Sequence, residues 1–201
     1  MPIKVNTLGL LVFSVMLFAA GSCDTKPKDT GARFTKADSL TERYLALQDS
    51  MLQVWNTMMH DDNLKIKAMH QLLNELSASN PEKQDDLKLF RERLEHLEAS
   101  RYDQNTMADT EIVTEYDFAS NSLVTELISM AESEDRFAYN ENLQKLVDDI
   151  RAADQRVNNY RDEYDRTAAE YNNFLEDNGE WLREIEKDSL EKKPLFQMAA
   201  E

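Results

Sequence analysis

Between Gly31 and Gly179 the chain contains no glycine, and Pro81 is the only proline in that stretch. Glycine supplies the positive φ that tight turns demand, and proline breaks helices and marks turns. A β-protein of this size would need many such turns, so a β-architecture is excluded. Leu, Glu, Lys, Gln, Met and Ala dominate instead, and these are the strong helix formers. The sequence therefore specifies an all-α fold.

The spacing of apolar residues divides that stretch into helices. Asp38 and Ser39 are suitable N-caps for a first helix, with Glu42 in capping-box position after Ser39. Leu40, Tyr44, Leu47, Met51, Val54 and Met58 then recur at intervals of four and three, which keeps one seam toward a neighbouring helix. His60-Asp61-Asp62-Asn63 interrupts the seam and reads as a solvated bend, after which Ile66, Met69, Leu73 and Leu76 resume it. One long helix bent near Asp62 is the preferred reading and two helices the alternative. Ser77 to Pro81 ends it, because the residue before proline is pushed out of helical geometry.

A second helix is expected over residues 82–99 and a third over residues 107–131. The last, over residues 140–177, carries Leu143, Leu146, Ile150, Ala153, Val157, Tyr160, Tyr164, Thr167, Tyr171 and Phe174 in strict heptad spacing. At 1.5 Å per residue it would be about 55 Å long, and Asn178-Gly179 would stop it. Antiparallel packing of such long amphipathic helices predicts an elongated four-helix-type bundle over residues 37–177. Residues 178–201 are then a tail on the bundle end.

The N-terminus has a different character. Lys4 precedes an apolar run from Leu8 to Ala20, and the small residues Ala19 to Ser22 lead directly to Cys23. That order is the layout of a secretory signal over residues 1–22, and the run is too short for a permanent transmembrane helix. Small residues before cysteine resemble the bacterial lipobox, whose thiol is acylated. Cys23, the sole cysteine, is thus the expected lipidation site, carrying palmitate-type chains that hold the protein to a membrane. Residues 23–36, rich in Pro, Gly, Thr and charge, read as a flexible spacer. A domain outside the cytoplasm, most simply periplasmic, follows.

Thirty-nine acidic residues against 23 basic ones give a net charge of −16, and loss of Lys4 with the signal moves it to −17. Such a surface is repelled by phosphate backbones and anionic head groups, which excludes nucleic acid as a partner.

In its C-terminal half the chain resembles the LemA family. The resemblance rests on Asn140-Glu141-Asn142, Arg156-Val157, Tyr164-Asp165 and Tyr171-Asn172 at matching offsets, with Lys193-Pro194-Leu195-Phe196 similar to a Lys-Pro-aromatic close. It covers residues 123–196, while the N-terminal half diverges from the family pattern. What it implies is a membrane-anchored, extracytoplasmic helical bundle, with no biochemical activity attached.

Catalytic equipment is not visible. Di-iron bundles use Glu-x-x-His, but Thr57, Lys67 and Arg93 stand three residues before His60, His70 and His96. No nucleophile motif, phosphate loop or zinc spacing occurs, so neither an enzyme nor a cofactor is expected. His60 beside Asp61 and Asp62 offers at most a weak surface cation site. Acidic runs such as Glu132-Ser133-Glu134-Asp135 read as solvated faces.

Two apolar groups admit two readings each. Met51, Trp55, Met58 and Met59 are simplest as core packing, or else a soft docking surface for a partner helix. Tyr160, Tyr164 and Tyr171 lie in the seam near Trp181, Leu182, Ile185, Leu195 and Phe196. Either the tail folds back over this end or the residues form a partner surface. The function expected is a lipid-anchored envelope protein whose helical bundle binds another envelope protein, or spaces one from the membrane. The alternatives are a small-ligand or metal-binding bundle and a periplasmic chaperone.

Overall fold

The computed structural model describes residues 35–185 and 190–196. Four α-helices make up the fold: α1 (Lys36–Ser79), α2 (Gln84–Ala99), α3 (Thr110–Glu132) and α4 (Glu141–Ile185). Two 3-10 turns, Pro81–Lys83 and Phe137–Tyr139, lie in the connections. The described residues contain no strand, and no helix among them is long and apolar enough to cross a membrane. The signal, Cys23 and most of the spacer lie outside the described residues.

α1 has 44 residues, about 66 Å at 1.5 Å per residue. It runs unbroken through His60-Asp61-Asp62-Asn63. That tetrapeptide is not the solvated interruption its polarity suggests, for Asp61, Asp62 and Lys65 are all buried. Its end is built by Asn80, whose backbone N–H and side-chain Nδ2 both donate to the Leu76 carbonyl. Gln84 Nε2 donates to the carbonyls of Ser77 and Asn80, which gives a second acceptor of α1's last turn a partner.

α3 and α4 start on side-chain caps. Asp109 accepts from the backbone N–H groups of Glu111 and Ile112 at the head of α3. Asn140 does the same for Asn142 and Leu143 at the head of α4. The amides of Asn140 and Asn142 also reach the Glu75 carboxylate, which ties the start of α4 to the end of α1.

α4 does not stop at Asn178-Gly179 as expected but continues to Ile185, 45 residues in all. Asn178 donates its amide to the Phe174 carbonyl one turn back instead of ending the helix. Glycine in a helix costs about 1 kcal/mol. Burying Leu182, here 1 % exposed, contributes about 1.5–3 kcal/mol and offsets it.

The strict heptad also drifts. Val157, Tyr164 and Tyr171 are buried, but Tyr160 and Phe174 are only partly so, and Ala168 and Leu175 are buried in their neighbourhood instead. A helix of 3.6 residues per turn slips about 20° per heptad, so the buried stripe gains a residue along its length.

Cross-helix partners run in opposite order along α1 and α4: Arg43 with Glu170, Asp61 with Arg156, Lys65 with Asp154, Glu75 with Asn142. The two long helices therefore lie side by side in opposite chain directions. α2 and α3 meet them near one half, through Arg91 to Ser77, His70 to Glu98, Tyr116 to Asp62 and Arg151 to Glu132. Toward the start of α1, residues 190–196 run back along α4 instead. Lys193 pairs with Asn172 and Phe196 with Asp165.

Candidate functional site

The six residues that the sequence offers either as core packing or as a partner surface lie in or against the core. Trp55, Met58, Tyr164 and Tyr171 are buried in the hydrophobic core, and Met59 and Tyr160 are partly buried against it. Their seam spacing places them between α1 and α4, where the helices seal them. Among the described residues, the large apolar side chains that face solvent are Leu45, Leu52, Leu64, Leu89, Phe118 and Tyr139.

What the helices bring together is a knot of charge in the middle of α1. Asp62, 2 % exposed, receives the Tyr116 hydroxyl at 2.7 Å and Arg101 Nη2 at 2.9 Å, both on Oδ2. Lys65 Nζ stands 3.1 Å from Asp62 Oδ1, but off the hydrogen-bonding direction, so that contact is purely ionic. The same ammonium donates to Ser120 Oγ at 2.9 Å and to Asp154 Oδ1 at 3.2 Å. At the neighbouring position the partly exposed Arg156 clasps the buried Asp61 with two bonds, 3.0 and 2.9 Å. Each of α1, α3 and α4 thus contributes, with Arg101 added by the connection after α2.

An aromatic box adjoins the knot. Trp55 (α1), Tyr102 (the α2–α3 connection), Tyr164 (α4) and Phe196 (the tail) pack ring to ring with centroids 5.6–6.3 Å apart. Tyr116 (α3) meets Tyr102 edge-on at 5.3 Å and carries the contact through to Asp62. Arg161 closes the box. Its guanidinium lies 5.0 Å from the Phe196 ring centre and 5.5 Å from that of Tyr102. It also donates to the Tyr102 hydroxyl at 2.7 Å and grips both oxygens of Asp117. Tyr102 is set there by the turn that follows, in which Asp103 accepts from the backbone of Asn105 and Thr106.

Burial pushes Tyr102 up to about 12, against a downward pull from Arg161. Tyr164 rises to about 12 through burial and then the Asp165 charge, and Tyr116 rises further through burial and its bond to Asp62. All three hydroxyls keep their protons at neutral pH. Burial alone would lower Arg161, yet Asp117 and Tyr102 together outweigh it and hold the guanidinium charged.

No family model matches the chain, and no curated protein or solved structure matches it.

Asp61, Asp62, Asp117 and Asp154 face Lys65, Arg101, Arg156 and Arg161, four formal negative charges against four positive. Chemically the arrangement is an internally neutralised lock. Its carboxylates are engaged by cations, so Asp61 and Asp62 are not an open cation site beside His60. In the run Glu132-Ser133-Glu134-Asp135 the first, second and fourth residues are exposed as expected, whereas the Glu134 side chain is 8 % exposed and pairs with Lys83 at 2.8 Å. His70 pairs with Glu98 on the surface.

The sequence marks Asp61 and Asp62 only as a bend and weak cation site, and Arg156 only through the family resemblance, not as members of a buried charge cluster. The signal was present in the period, for Met58, Asp62, Lys65, Met69, Leu72 and Leu76 keep the intervals of four and three without a gap. The charged pair occupies seam positions rather than interrupting the seam.

Proposed function

We propose that the protein is a lipid-anchored envelope component, similar in kind to the LemA family. Its antiparallel four-helix-type bundle serves as a non-catalytic interaction or spacer module. The observation that carries this reading is the neutralised knot joined to the aromatic box, which clamps α1, α3, α4 and the tail in one register. Such a lock suits a stiff scaffold, because each charge is costly to bury unless every partner is held in place. The side chains at its centre are committed to one another, which leaves them poorly suited to proton transfer or nucleophilic attack. α1, about 66 Å long, gives a spacer useful reach. The tether through Cys23 would keep that scaffold near a membrane surface, with a neighbouring envelope protein as partner.

Crosslinking in intact cells tests the interaction. A specific crosslinked product is the expected outcome, and a monomer that crosslinks to nothing overturns it. Mass spectrometry of the mature N-terminus tests the anchor. A diacylated or triacylated Cys23 is expected, and an unmodified thiol on a released protein overturns it.

A further inference from the structure

We infer that the cleft now filled by residues 192–196 is a recognition site for an extended peptide segment of a partner protein, with the chain's own tail as resident competitor. The inference deepens the interaction reading above and rests on it. Asn172 uses both ends of its amide on the backbone of one tail residue. Its Nδ2 donates to the Lys193 carbonyl at 2.9 Å, and its Oδ1 accepts the Lys193 N–H at 2.7 Å. That two-bond ring reads extended backbone without regard to side chain, as a neighbouring strand would. Asp165 Oδ1 then accepts the Phe196 N–H at 2.7 Å. Side-chain choice is made at two places. The Glu176 carboxylate pairs with Lys192, and the box of Trp55, Tyr102 and Tyr164 under Arg161 takes the Phe196 ring. Trp55 and Phe196 are stacked only 8° from parallel.

The resident tail does not fill its cleft. A cavity of about 210 Å³ lies beside Lys193, bordered by Met51, Leu52, Gln104 and Tyr164. Leu52 is half exposed there. A large apolar side chain at the 193 position would cover surface that a lysine leaves wet, at about 25 cal/mol per Å². The segment that fits best is therefore extended, with a cation first, a large apolar residue next and an aromatic three residues after that. A chain of net charge −16 favours the approach of such a basic segment. A second copy is the weaker occupant. Its tail offers only contacts that each copy already makes within itself, so association loses entropy and gains nothing.

The test uses the full chain with Trp181→Phe, which leaves Trp55 as the only tryptophan. In that background Phe196→Ala empties the box, and the probes are synthetic peptides of residues 190–196. Trp55 fluorescence should report saturable binding of the own-sequence peptide. A peptide bearing Lys193→Leu should bind about tenfold tighter, and one bearing Phe196→Ala at least about tenfold weaker. The chain with its native tail should bind all of them at least about tenfold more weakly than the emptied chain. A helical Phe196→Ala chain that binds no peptide overturns the inference, as does equal binding with the tail in place. If Phe196→Ala loses helicity, Phe196→Leu replaces it, since that change weakens the tail's hold on the box and leaves Asn172, Asp165 and the receiving rings intact. The Lys193→Leu peptide should then bind the Phe196→Leu chain more tightly than the native-tail chain, and unchanged affinity overturns the inference. A dimer of the native chain that peptide dissociates would make the second copy the occupant and overturn the partner assignment. Failure here leaves the wider interaction reading standing, because crosslinking in cells detects contact anywhere on the chain.

Discussion

Asp62 and Lys65 stand three residues apart on α1 and meet at 3.1 Å, with side chains 2 % and 3 % exposed. Removing one member of such a pair leaves a charge stranded in the interior. Asp62→Ala takes Arg101's carboxylate away, leaves Lys65 with Asp154 as its one counter-charge, and should lower stability by about 3–5 kcal/mol in denaturant unfolding. Lys65→Ala alone should cost less, because Arg101 and Tyr116 still serve Asp62. The double variant should cost clearly less than the two single losses added together. Simple additivity would mean the two charges do not sense each other.

Arg161 combines a two-pronged grip on Asp117, a bond to the Tyr102 hydroxyl and stacking on two rings. An ammonium cannot reproduce that planar fork. Arg161→Lys should therefore destabilise by about 1–3 kcal/mol although the charge is kept, with unfolding followed by circular dichroism. A variant as stable as the parent would show that charge alone suffices.

Alkaline titration separates the tyrosines. The folded-state pKa values of Tyr102 and Tyr164, about 12, lie above the ordinary value of 10, and Tyr116 is raised beyond them. Folding thus favours the protonated forms. Their contribution is whole below pH 10 and drains away as pH climbs toward 12. Ultraviolet absorbance should show a late tyrosinate phase that coincides with loss of helicity. Ionisation of all seven tyrosines in one early phase would contradict the burial described.

Gly179 sits inside α4, and a Cβ added there meets nothing within 4 Å. Gly179→Ala should raise stability by about 0.5–1 kcal/mol, seen as a higher melting temperature. A loss would indicate that the helix is interrupted where the sequence first suggests.

Asp109 caps α3 through two backbone N–H groups. Asp109→Ala should cost about 1 kcal/mol in chemical unfolding, while Asp109→Asn, which keeps the acceptor, should cost much less. Equal losses would assign the effect to charge rather than to the cap.

Helices were easy to see in the sequence because propensity and the absence of glycine act locally. The stop at Pro81 was legible for the same reason. α4 ran past Gly179 because Leu182 buries itself two turns after Leu175, and tertiary burial outweighed a local signal. The knot was misread because Asp and Lys are solvent formers by default. Only their partners, 39 to 89 residues away along the chain at Arg101, Tyr116 and Asp154, make burial tolerable. The sequence groups Phe196 with the seam tyrosines and leaves its role open, because its seat against Trp55 depends on a strap whose course no periodicity encodes.

The opposite chain directions of α1 and α4 have a mechanical corollary. Lys36, Ala37 and Leu40 border the same cavity as residues 176–181, so α1 begins where α4 ends. A force pulling these two ends apart would peel the helices like a zipper, loading one rung at a time. Arg43 with Glu170 and Tyr44 with Tyr171 would yield first, at low force. The rupture front would then stall at Asp62, where the chain resists as a rivet resists a tear.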